Sequence, residues 1–333
     1  MADTKDYKWL AGYVYYSEPL DKVITGAVIP FVYEIMEYDW VEKFFFIRYW
    51  EKGPHIRLRF LGDPEKLESV VKPRFQEFFG KYFSENPSER QEPDFSEDTK
   101  EEFRWYPNNS VQFIEYEPET ERYGGEKCLE ISEKFFQYSS ETIFELMSDG
   151  ESEWGYDRAL GAGIQMHLSM AFGLGMDRDE MIGFFDRYFS RWLPRAYYFF
   201  EKDISEEELA KRRKETLEAF EGTYENQKDN LVGFFEQILE ILNEDDFEGT
   251  WLETWVNGSM ETKEKLDQLI EKGAYDPTSH YNFSEEKQYT REQQSRWALY
   301  DSYVHMTNNR LGILNRDEAY LAFIISKTLK LIK

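Results

Sequence analysis

The sequence predicts an α+β protein, with an antiparallel sheet in about the first 125 residues and helices in most of the remainder. Strand-like runs rich in aromatic and β-branched residues, bounded by turn residues, recur up to about residue 118. From about residue 126 onward, apolar residues recur at helical spacing, as in Leu231, Phe235 and Ile238. A chain of 333 residues can form one large domain or two closely packed ones. We therefore expect a sheet region over 1–125 and a helical region over 126–333, packed as one unit.

The most informative stretch is residues 42–60, EKFFFIRYWEKGPHIRLRF, which is typical of a β-hairpin. A four-residue turn pairs Arg48 with Arg57 and places Arg59 on the same face. The opposite face would then pack on the core through Phe45, Ile47, Tyr49, Ile56, Leu58 and Phe60. Because like charges repel, the three arginines indicate either an anion site or internal ion pairs with the many acids of the chain. Apolar residues on both faces of the first strand also predict that it lies near the centre of the sheet.

The elements around the hairpin complete an alternating order. Strands are expected at 8–17 and 111–118, and helices at 19–36 and 64–83, with irregularities at Pro30 and Pro73. Asp63 is expected to cap the second helix, with Pro64 at its first position. A polar, acidic stretch over 84–102 reads as a surface loop or a partly disordered segment. The order strand, helix, strand, strand, helix, strand predicts a ferredoxin-like βαββαβ sheet region.

The remaining chain is predicted to be helical. The spans are 126–148, 156–173, 177–194, 205–243 with a break near Gly222, 248–272, 288–310 and 315–331.

Composition excludes several classes of function. The formal net charge of -26 argues against direct nucleic-acid binding, which requires a basic surface. The single cysteine, Cys128, excludes an internal disulfide and a multi-cysteine zinc site. The four histidines show no metal-binding spacing, and no phosphate-binding glycine loop occurs, so we expect no metal and no cofactor. Without a signal peptide or a long apolar run, the chain is expected to be cytoplasmic, without a membrane span.

Three blocks carry a family resemblance. They are FFFIRYWEKGPHIRLRF at 44–60, YEPETERYGGEKCLEISEKFFQYSS at 116–140 and YVHMTNNRLGI at 303–313. In this order they resemble the hallmark blocks of the C-terminal domain of class I lantibiotic dehydratases. That family also includes free-standing thiopeptide-type bacteriocin biosynthesis proteins. Because the larger glutamylating region is absent from this sequence, the chain resembles the elimination part of a split dehydratase.

The resemblance implies a lyase that acts on a ribosomal precursor peptide. A separate, tRNA-dependent subunit would esterify Ser or Thr with glutamate, and this chain would eliminate glutamate to give dehydroalanine or dehydrobutyrine. The family's catalytic roles match Arg57, Arg59, Arg122 and His305, because arginine binds carboxylates and histidine transfers protons. Candidate substrate-binding residues are Arg48, His55 and Asn309. We expect Arg57 and Arg59 to meet Arg122 and His305 in one cleft.

The helical context of His305 suggests how its ring is held. Asp301 and Asn309 lie one turn away on the same face, so Asp301 is expected to orient the imidazole. The sequence leaves open whether His305 acts as an acid or a base, or fills a core contact.

Two further functions remain open. Relatives include thiopeptide pyridine synthases, which join two dehydroalanines in a formal [4+2] cycloaddition and need not keep the arginines and histidine of an eliminase. A non-catalytic scaffold that presents the precursor peptide would need an aromatic groove or a free sheet edge, but not His305. The assembly state, monomer or homodimer, is also open.

Overall fold

The chain folds into two compact units. The computed structural model describes residues 6–17, 19–91, 93, 100–149, 154–198, 204–275 and 289–332. Unit one comprises Met1–Glu119 and Ile143–Trp154, and unit two comprises Thr120–Thr142 and Gly155–Lys333. The predicted α+β class is confirmed, because unit one holds an antiparallel sheet and the other regular elements are mostly helices. Within the described ranges, every helix is too short or too polar to cross a lipid bilayer.

Unit one contains a four-stranded antiparallel sheet. Its strands are β1 (Lys8–Tyr15), β2 (Val41–Tyr49), β3 (His55–Gly62) and β4 (Ser110–Phe113), in the spatial order β2-β3-β1-β4. The expectation that β2 lies near the centre is therefore wrong: β2 is at one edge, and β1 and β3 are central. Strand β4 covers only part of the predicted span 111–118.

The β2–β3 loop has five residues, Trp50 to Pro54, and not the predicted four. Tyr49 therefore pairs with His55. Lys52 and Gly53 have φ values of 60° and 107°, in the left-handed region, which lets the chain make the longer turn.

This register corrects the predicted faces of the hairpin. Arg48 pairs with Ile56 and Ile47 with Arg57, so Arg48 lies on the opposite face from Arg57 and Arg59. The predicted apolar face is also wrong, since its members divide between the two faces. One face carries Phe45, Ile47, Tyr49, His55, Arg57 and Arg59, and the other carries Phe44, Phe46, Arg48, Ile56, Leu58 and Phe60.

Two helical segments follow β1 and β3. Helix α1 consists of Leu20–Val23, a π-helical turn Ile24–Val28 and Ile29–Met36. Helix α2 consists of Pro64–Lys66, a π-helical turn Leu67–Val71 and Lys72–Glu85. As predicted, the Asp63 side chain caps α2, accepting a 3.0 Å hydrogen bond from the Lys66 backbone N–H.

The two π-helical turns explain the predicted irregularities at Pro30 and Pro73. A proline has no N–H to donate, and its ring clashes with the carbonyl four residues earlier. In each helix the residue before the proline, Ile29 or Lys72, donates to the carbonyl five residues earlier. Both helices therefore continue beyond their prolines.

Although β2 is an edge strand, its middle is buried on both faces. The Phe144 ring packs on Phe44 and Phe46, with centroid separations of 5.7 and 5.0 Å. On the other face, Phe45 packs edge-on against Trp9, with centroids 5.2 Å apart. This double coverage is the reason that the strand has the composition of a central one.

Unit two is helical in its described residues. Its helices are α3 (Glu126–Ser148, whose last turns belong to unit one), α4 (Tyr156–Gly173), α5 (Arg178–Trp192), α6 (Pro194–Tyr197), α7 (Glu206–Asn243), α8 (Trp251–Glu271), α9 (Arg291–Leu311) and α10 (Asn315–Leu329). The break predicted near Gly222 is wrong, since α7 is continuous through it. Part of the predicted polar loop, residues 92 and 94–99, lies outside the described residues.

Helix α9 is anchored in the core of unit two. The Tyr303 ring stacks on Phe135 with centroids 4.3 Å apart, and its hydroxyl is 2.8 Å from Ser132 Oγ. Tyr303 has no exposed surface. These contacts therefore fix the position of α9 and of the side chains that follow Tyr303 on it.

The contact between β1 and α2 yields a stability prediction. A Cβ added at Gly12 would lie 2.5 Å from Phe75 Cζ. The Phe75 ring has little room to move, because Phe31 and Phe79 pack on it at 4.9 and 4.7 Å. We expect Gly12→Ala to lower the free energy of unfolding by about 1–3 kcal/mol, the usual range for overpacking. Urea denaturation would measure the loss.

The matched control is Gly80→Ala on α2, where an added Cβ would meet no atom within 4 Å. It should leave stability unchanged or raise it slightly, since alanine favours a helix over glycine. Phe75→Leu replaces the opposing ring with a smaller side chain. In that background Gly12→Ala should lower the free energy of unfolding by less than it does in the wild type. An equal cost in both backgrounds would contradict the clash.

Candidate active site

The face of the sheet that carries Arg57 and Arg59 forms a pocket within unit one. Its volume is about 360 Å³. The lining residues combine tyrosines, cations and acids: Tyr13, Tyr15, Glu51, Lys52, Arg57, Arg59, Tyr106, Ile114, Glu115 and Glu117. Adjacent strands bring these side chains together, because β1 pairs with β3 along Tyr13–Arg57 and Ala11–Arg59.

Arg57 is held in place by aromatic rings and by His55. Its guanidinium lies 3.6 Å from the Tyr49 ring centroid and 4.8 Å from that of Tyr13. Arg57 Nε donates to His55 Nε2 at 3.1 Å. An ion pair with Glu51 at 3.8 Å is weak, because the Glu51 side chain is 65% exposed and screened by solvent.

His55 is fully buried and positions Arg57 through a hydrogen bond. Its Nδ1 lies 2.8 Å from the Gly53 carbonyl, so Nδ1–H donates there while Nε2 accepts from Arg57. Burial lowers the pKa of His55 to about 4, and the nearby Arg57 charge acts in the same direction. His55 is therefore neutral at physiological pH, which matches its role as an acceptor.

Arg59 is the more unusual cation, since it is 8% exposed and finds no acid among the described residues. Its guanidinium lies 4.1 Å from the Tyr116 ring centroid and 5.1 Å from that of Phe45. Its guanidinium donates a side-chain hydrogen bond to Tyr13, but the buried Nε has no acceptor among the described residues. Burial lowers the pKa of Arg59 below its usual value. A buried cation in this state is suited to bind an anion.

Arg48 does not belong to this pocket. It points to the opposite face, where its guanidinium forms a 2.6 Å ion pair with Asp21. The prediction that placed Arg48 beside Arg57 and Arg59 is wrong, because the loop has five residues and not four.

In unit two, His305 contacts a buried carboxylate that the sequence interpretation missed. His305 Nδ1 lies 3.0 Å from Glu318 Oε1, on helix α10. The Glu318 side chain is 1% exposed and also accepts from Tyr188 at 2.5 Å and from Asn308 Nδ2 at 3.1 Å. Burial beside Glu318 raises the pKa of Tyr188 well above its usual value, so the hydroxyl keeps its proton.

These contacts fix the protonation pattern around His305. Because Glu318 accepts, His305 Nδ1 carries the ring proton and Nε2 is the nitrogen that can exchange one. Asn308 donates to Glu318, so its Oδ1 accepts from His167 Nε2 at 2.7 Å. Burial lowers the pKa of His167 to about 4, which keeps that histidine neutral.

Asp301 contributes in a different way from the one predicted. It accepts a 3.2 Å hydrogen bond from Trp192 Nε1 and pairs with Arg191. The Trp192 ring in turn stacks on His305, with centroids 4.6 Å apart. The prediction that Asp301 bonds the imidazole is thus corrected: Glu318 does so, and Asp301 holds the ring that covers it. Asn308 contributes its amide to this network, and the substrate-binding role of Asn309 stays a prediction.

Arg122 lies against the helix that carries His305. Its Nε donates to Ser302 Oγ at 3.3 Å, and Ser302 is one turn before His305 on α9. The two glycines that follow Tyr123 adopt positive φ, with values of 81° at Gly124 and 101° at Gly125.

The structure thus brings Arg57 together with Arg59, and Arg122 together with the helix of His305. The convergence of these two pairs in one cleft stays a prediction. Within the described ranges, no cluster of His, Cys, Asp or Glu side chains could hold a metal ion.

Glu318 could have been found from its sequence context. It occupies a position on the apolar stripe of α10, with Ala322 and Ile325 one and two turns later. An acid on an apolar stripe is buried only with strong hydrogen-bond donors around it. The tyrosines around Arg57 and Arg59 gave no comparable signal.

The comparisons with known proteins agree with this architecture. The family model described as lantibiotic biosynthesis dehydratase, C-terminal, matches residues 9–329, and the chain belongs to that family. No curated protein sequence matches.

The solved structures that share the fold include TbtD, MibB and TsrL. The pyridine synthase TbtD from thiomuracin biosynthesis is 16% identical, with a TM-score of 0.69 over 96% of this chain and 97% of TbtD. The tRNA-dependent lantibiotic dehydratase MibB from Microbispora sp. 107891 is 17% identical, with a TM-score of 0.60 over 96% of this chain but only 28% of MibB. TsrL is 15% identical, with a TM-score of 0.59 over 98% of this chain and 95% of TsrL.

The buried His55 predicts a specific loss of stability in acid. Its pKa of about 4 in the folded state is below the ordinary value, so the unfolded chain binds the proton first as pH falls below about 6.5. The stabilising contribution is complete above that pH and is lost towards pH 4. Between pH 7.5 and pH 5, His55 should account for about 2 kcal/mol of lost unfolding free energy. Urea denaturation at both pH values would measure it.

His55→Phe keeps an aromatic ring at this position and cannot titrate. Its stability should fall by about 2 kcal/mol less than that of the wild type over the same interval. His167 continues to contribute in both proteins, so the difference reports His55 alone. An identical pH dependence in wild type and variant would contradict the assigned neutral state.

Proposed function

We propose that this chain eliminates glutamate from glutamylated Ser or Thr residues of a ribosomal precursor peptide. Family membership supports a place in lantibiotic-type dehydration. The proposed partners are the precursor peptide and a separate tRNA-dependent glutamylating subunit, with the reaction in the cytoplasm. The likeness to one part of MibB supports this division of labour.

The reaction needs a base for the α-proton and cations for the enolate and for the departing carboxylate. A base removes the α-proton of the esterified residue, the Cα–Cβ double bond forms, and the Cβ–O bond breaks to release the glutamate carboxylate. We assign the proton transfer to His305 Nε2, with Nδ1–H held by Glu318. Arginine side chains stabilise the enolate and the carboxylates of the glutamyl group, the roles we assign to Arg57, Arg59 and Arg122.

The observation that carries the proposal is the buried Arg59 guanidinium without an acid partner among the described residues. A reaction that binds and releases a carboxylate needs such a cation. A cycloaddition between two uncharged dehydroalanines forms no anion that would need it. Arg59 therefore favours elimination over pyridine synthesis.

Pyridine synthesis is the second candidate. It is favoured by the TbtD structure, which matches this chain over nearly the full length of both. A peptide-binding scaffold is the third and requires no chemistry from His305.

We also propose that the sheet region is ferredoxin-like. The strand order β2-β3-β1-β4, with a helix after β1 and another after β3, supports this classification.

The first test concerns His305. We expect His305→Ala to remain folded and to slow elimination about 100-fold or more, the scale of a lost general acid or base. Mass spectrometry on a glutamylated precursor should show the glutamylated intermediate accumulating. Glu318→Gln should slow the reaction in the wild-type background but add little to His305→Ala, since Glu318 acts through the imidazole.

The outcomes separate the candidate functions. A precursor that already carries two dehydroalanines is assayed in parallel, and its consumption with no glutamate loss would assign the chain to pyridine synthesis. If wild-type protein binds the precursor but changes neither substrate, the peptide-binding scaffold is the remaining candidate function. Equal slowing by Glu318→Gln in both backgrounds would show that Glu318 does not act through His305.

The second test concerns Arg59. Arg59→Lys keeps the charge but removes the planar fork that binds a carboxylate through two hydrogen bonds. We expect kcat/KM for glutamate elimination to fall by about tenfold or more. The matched control is Arg74→Lys, also in unit one, whose guanidinium pairs with Glu34 on the helices. Equal, small effects of both substitutions would remove Arg59 from the mechanism.

A further inference from the structure

The pocket around Arg59 holds charges of both signs. Its lining includes three cations, Arg57, Arg59 and Lys52, and three acids, Glu51, Glu115 and Glu117. A site for a simple anion would not place three carboxylates at its walls, because each would repel the ligand. The composition of the lining therefore points to a ligand that carries both charges.

The cationic part of the pocket has one clear attachment point. Arg57 is already engaged by His55 and Glu51. Arg59 is more than nine-tenths buried, lines the pocket, and has an Nε without an acceptor among the described residues. A ligand carboxylate is the group that would satisfy it.

The acidic part is separate from this cation. Glu115 and Glu117 flank Tyr116 in sequence, and the Tyr116 ring lies on Arg59. Both glutamates are exposed, and neither forms an ion pair with another described residue. Tyr116 thus anchors two uncompensated carboxylates beside an uncompensated guanidinium.

We propose that this pocket binds a glutamyl group through both of its charges, the side-chain carboxylate on Arg59 and the ammonium on Glu115 and Glu117. The inference rests on the proposed function for the identity of the ligand. Glutamate esterified through its α-carboxyl group keeps a free ammonium and a side-chain carboxylate. The two glutamates thus select a glutamyl ester over esters that lack an ammonium group.

Direct binding tests the inference without any turnover. The probes are L-glutamate α-methyl ester, its N-acetyl derivative, which lacks the ammonium, and L-glutamine methyl ester, which lacks the side-chain carboxylate. We expect the first probe to bind about tenfold more tightly than either of the others, as measured by saturation-transfer NMR. Equal affinity for the N-acetyl derivative would overturn the inference.

Variants assign the preference to the two glutamates. In Glu115→Gln/Glu117→Gln, affinity for the first probe should fall to that of the N-acetyl derivative, because no carboxylate remains there for the ammonium. The control Glu65→Gln/Glu85→Gln removes the same net charge from exposed positions of α2, outside the pocket lining, and should keep the preference. Loss of the preference in both variants would indicate a general field effect and would overturn the assignment.

Elimination assays separate this inference from the proposed function. Two precursors carry a glutamyl or an N-acetylglutamyl ester on the same Ser. Faster elimination from the glutamyl ester supports both ideas. Equal rates would keep the eliminase and overturn the role of the glutamates, whereas no elimination from either ester would overturn the eliminase and leave the binding result to decide the inference.

Discussion

The length of the β2–β3 loop determines which side chains surround the arginines. Because strand side chains alternate with a period of two, a five-residue loop shifts β2 by one position relative to a four-residue turn. The shift places Tyr49 and Phe45 beside Arg57 and Arg59, and it moves Arg48 to the helix-facing side. Two cations among aromatic rings can stay close with little internal neutralisation. A third arginine on this face would have added repulsion that only acids could relieve.

Unit two contains a carboxylate that has almost no access to water. Glu318 is stable there because Tyr188, Asn308 and His305 all donate to it. The same contacts give His305 a defined tautomer. Since α9 is fixed by the buried Tyr303, orientation of the imidazole follows from packing as well as from hydrogen bonding.

Much of the architecture could be predicted, because apolar periodicity and caps are local signals. The strands of the hairpin, the Asp63 cap and most helix spans follow from such signals. The length of the β2–β3 loop does not follow from such signals, since Glu51, Lys52, Gly53 and Pro54 suit a turn of either length. The expected break at Gly222 is absent because a glycine costs a helix only about 1 kcal/mol, which packing along a long helix outweighs.

The remaining differences concern contacts that tertiary packing decides. The edge position of β2 was hidden because Phe144, about a hundred residues later, covers it. Glu318 and Asp301 both lie near His305 in sequence, and only the packing of α10 against its neighbours decides which carboxylate reaches the ring. Spacing on a single helix placed Asp301 near the histidine but could not show that Glu318 is its hydrogen-bond partner.

The aromatic rings around Arg57 and Arg59 have a consequence for conformational entropy. A free arginine side chain samples many rotamers, and immobilising it on binding costs about 0.5–1.5 kcal/mol. Here stacking on Tyr49, Tyr13 and Tyr116 restricts these side chains before any ligand arrives. The tyrosines thereby reduce the entropy that these side chains would lose on binding a ligand, even where the rings do not touch that ligand.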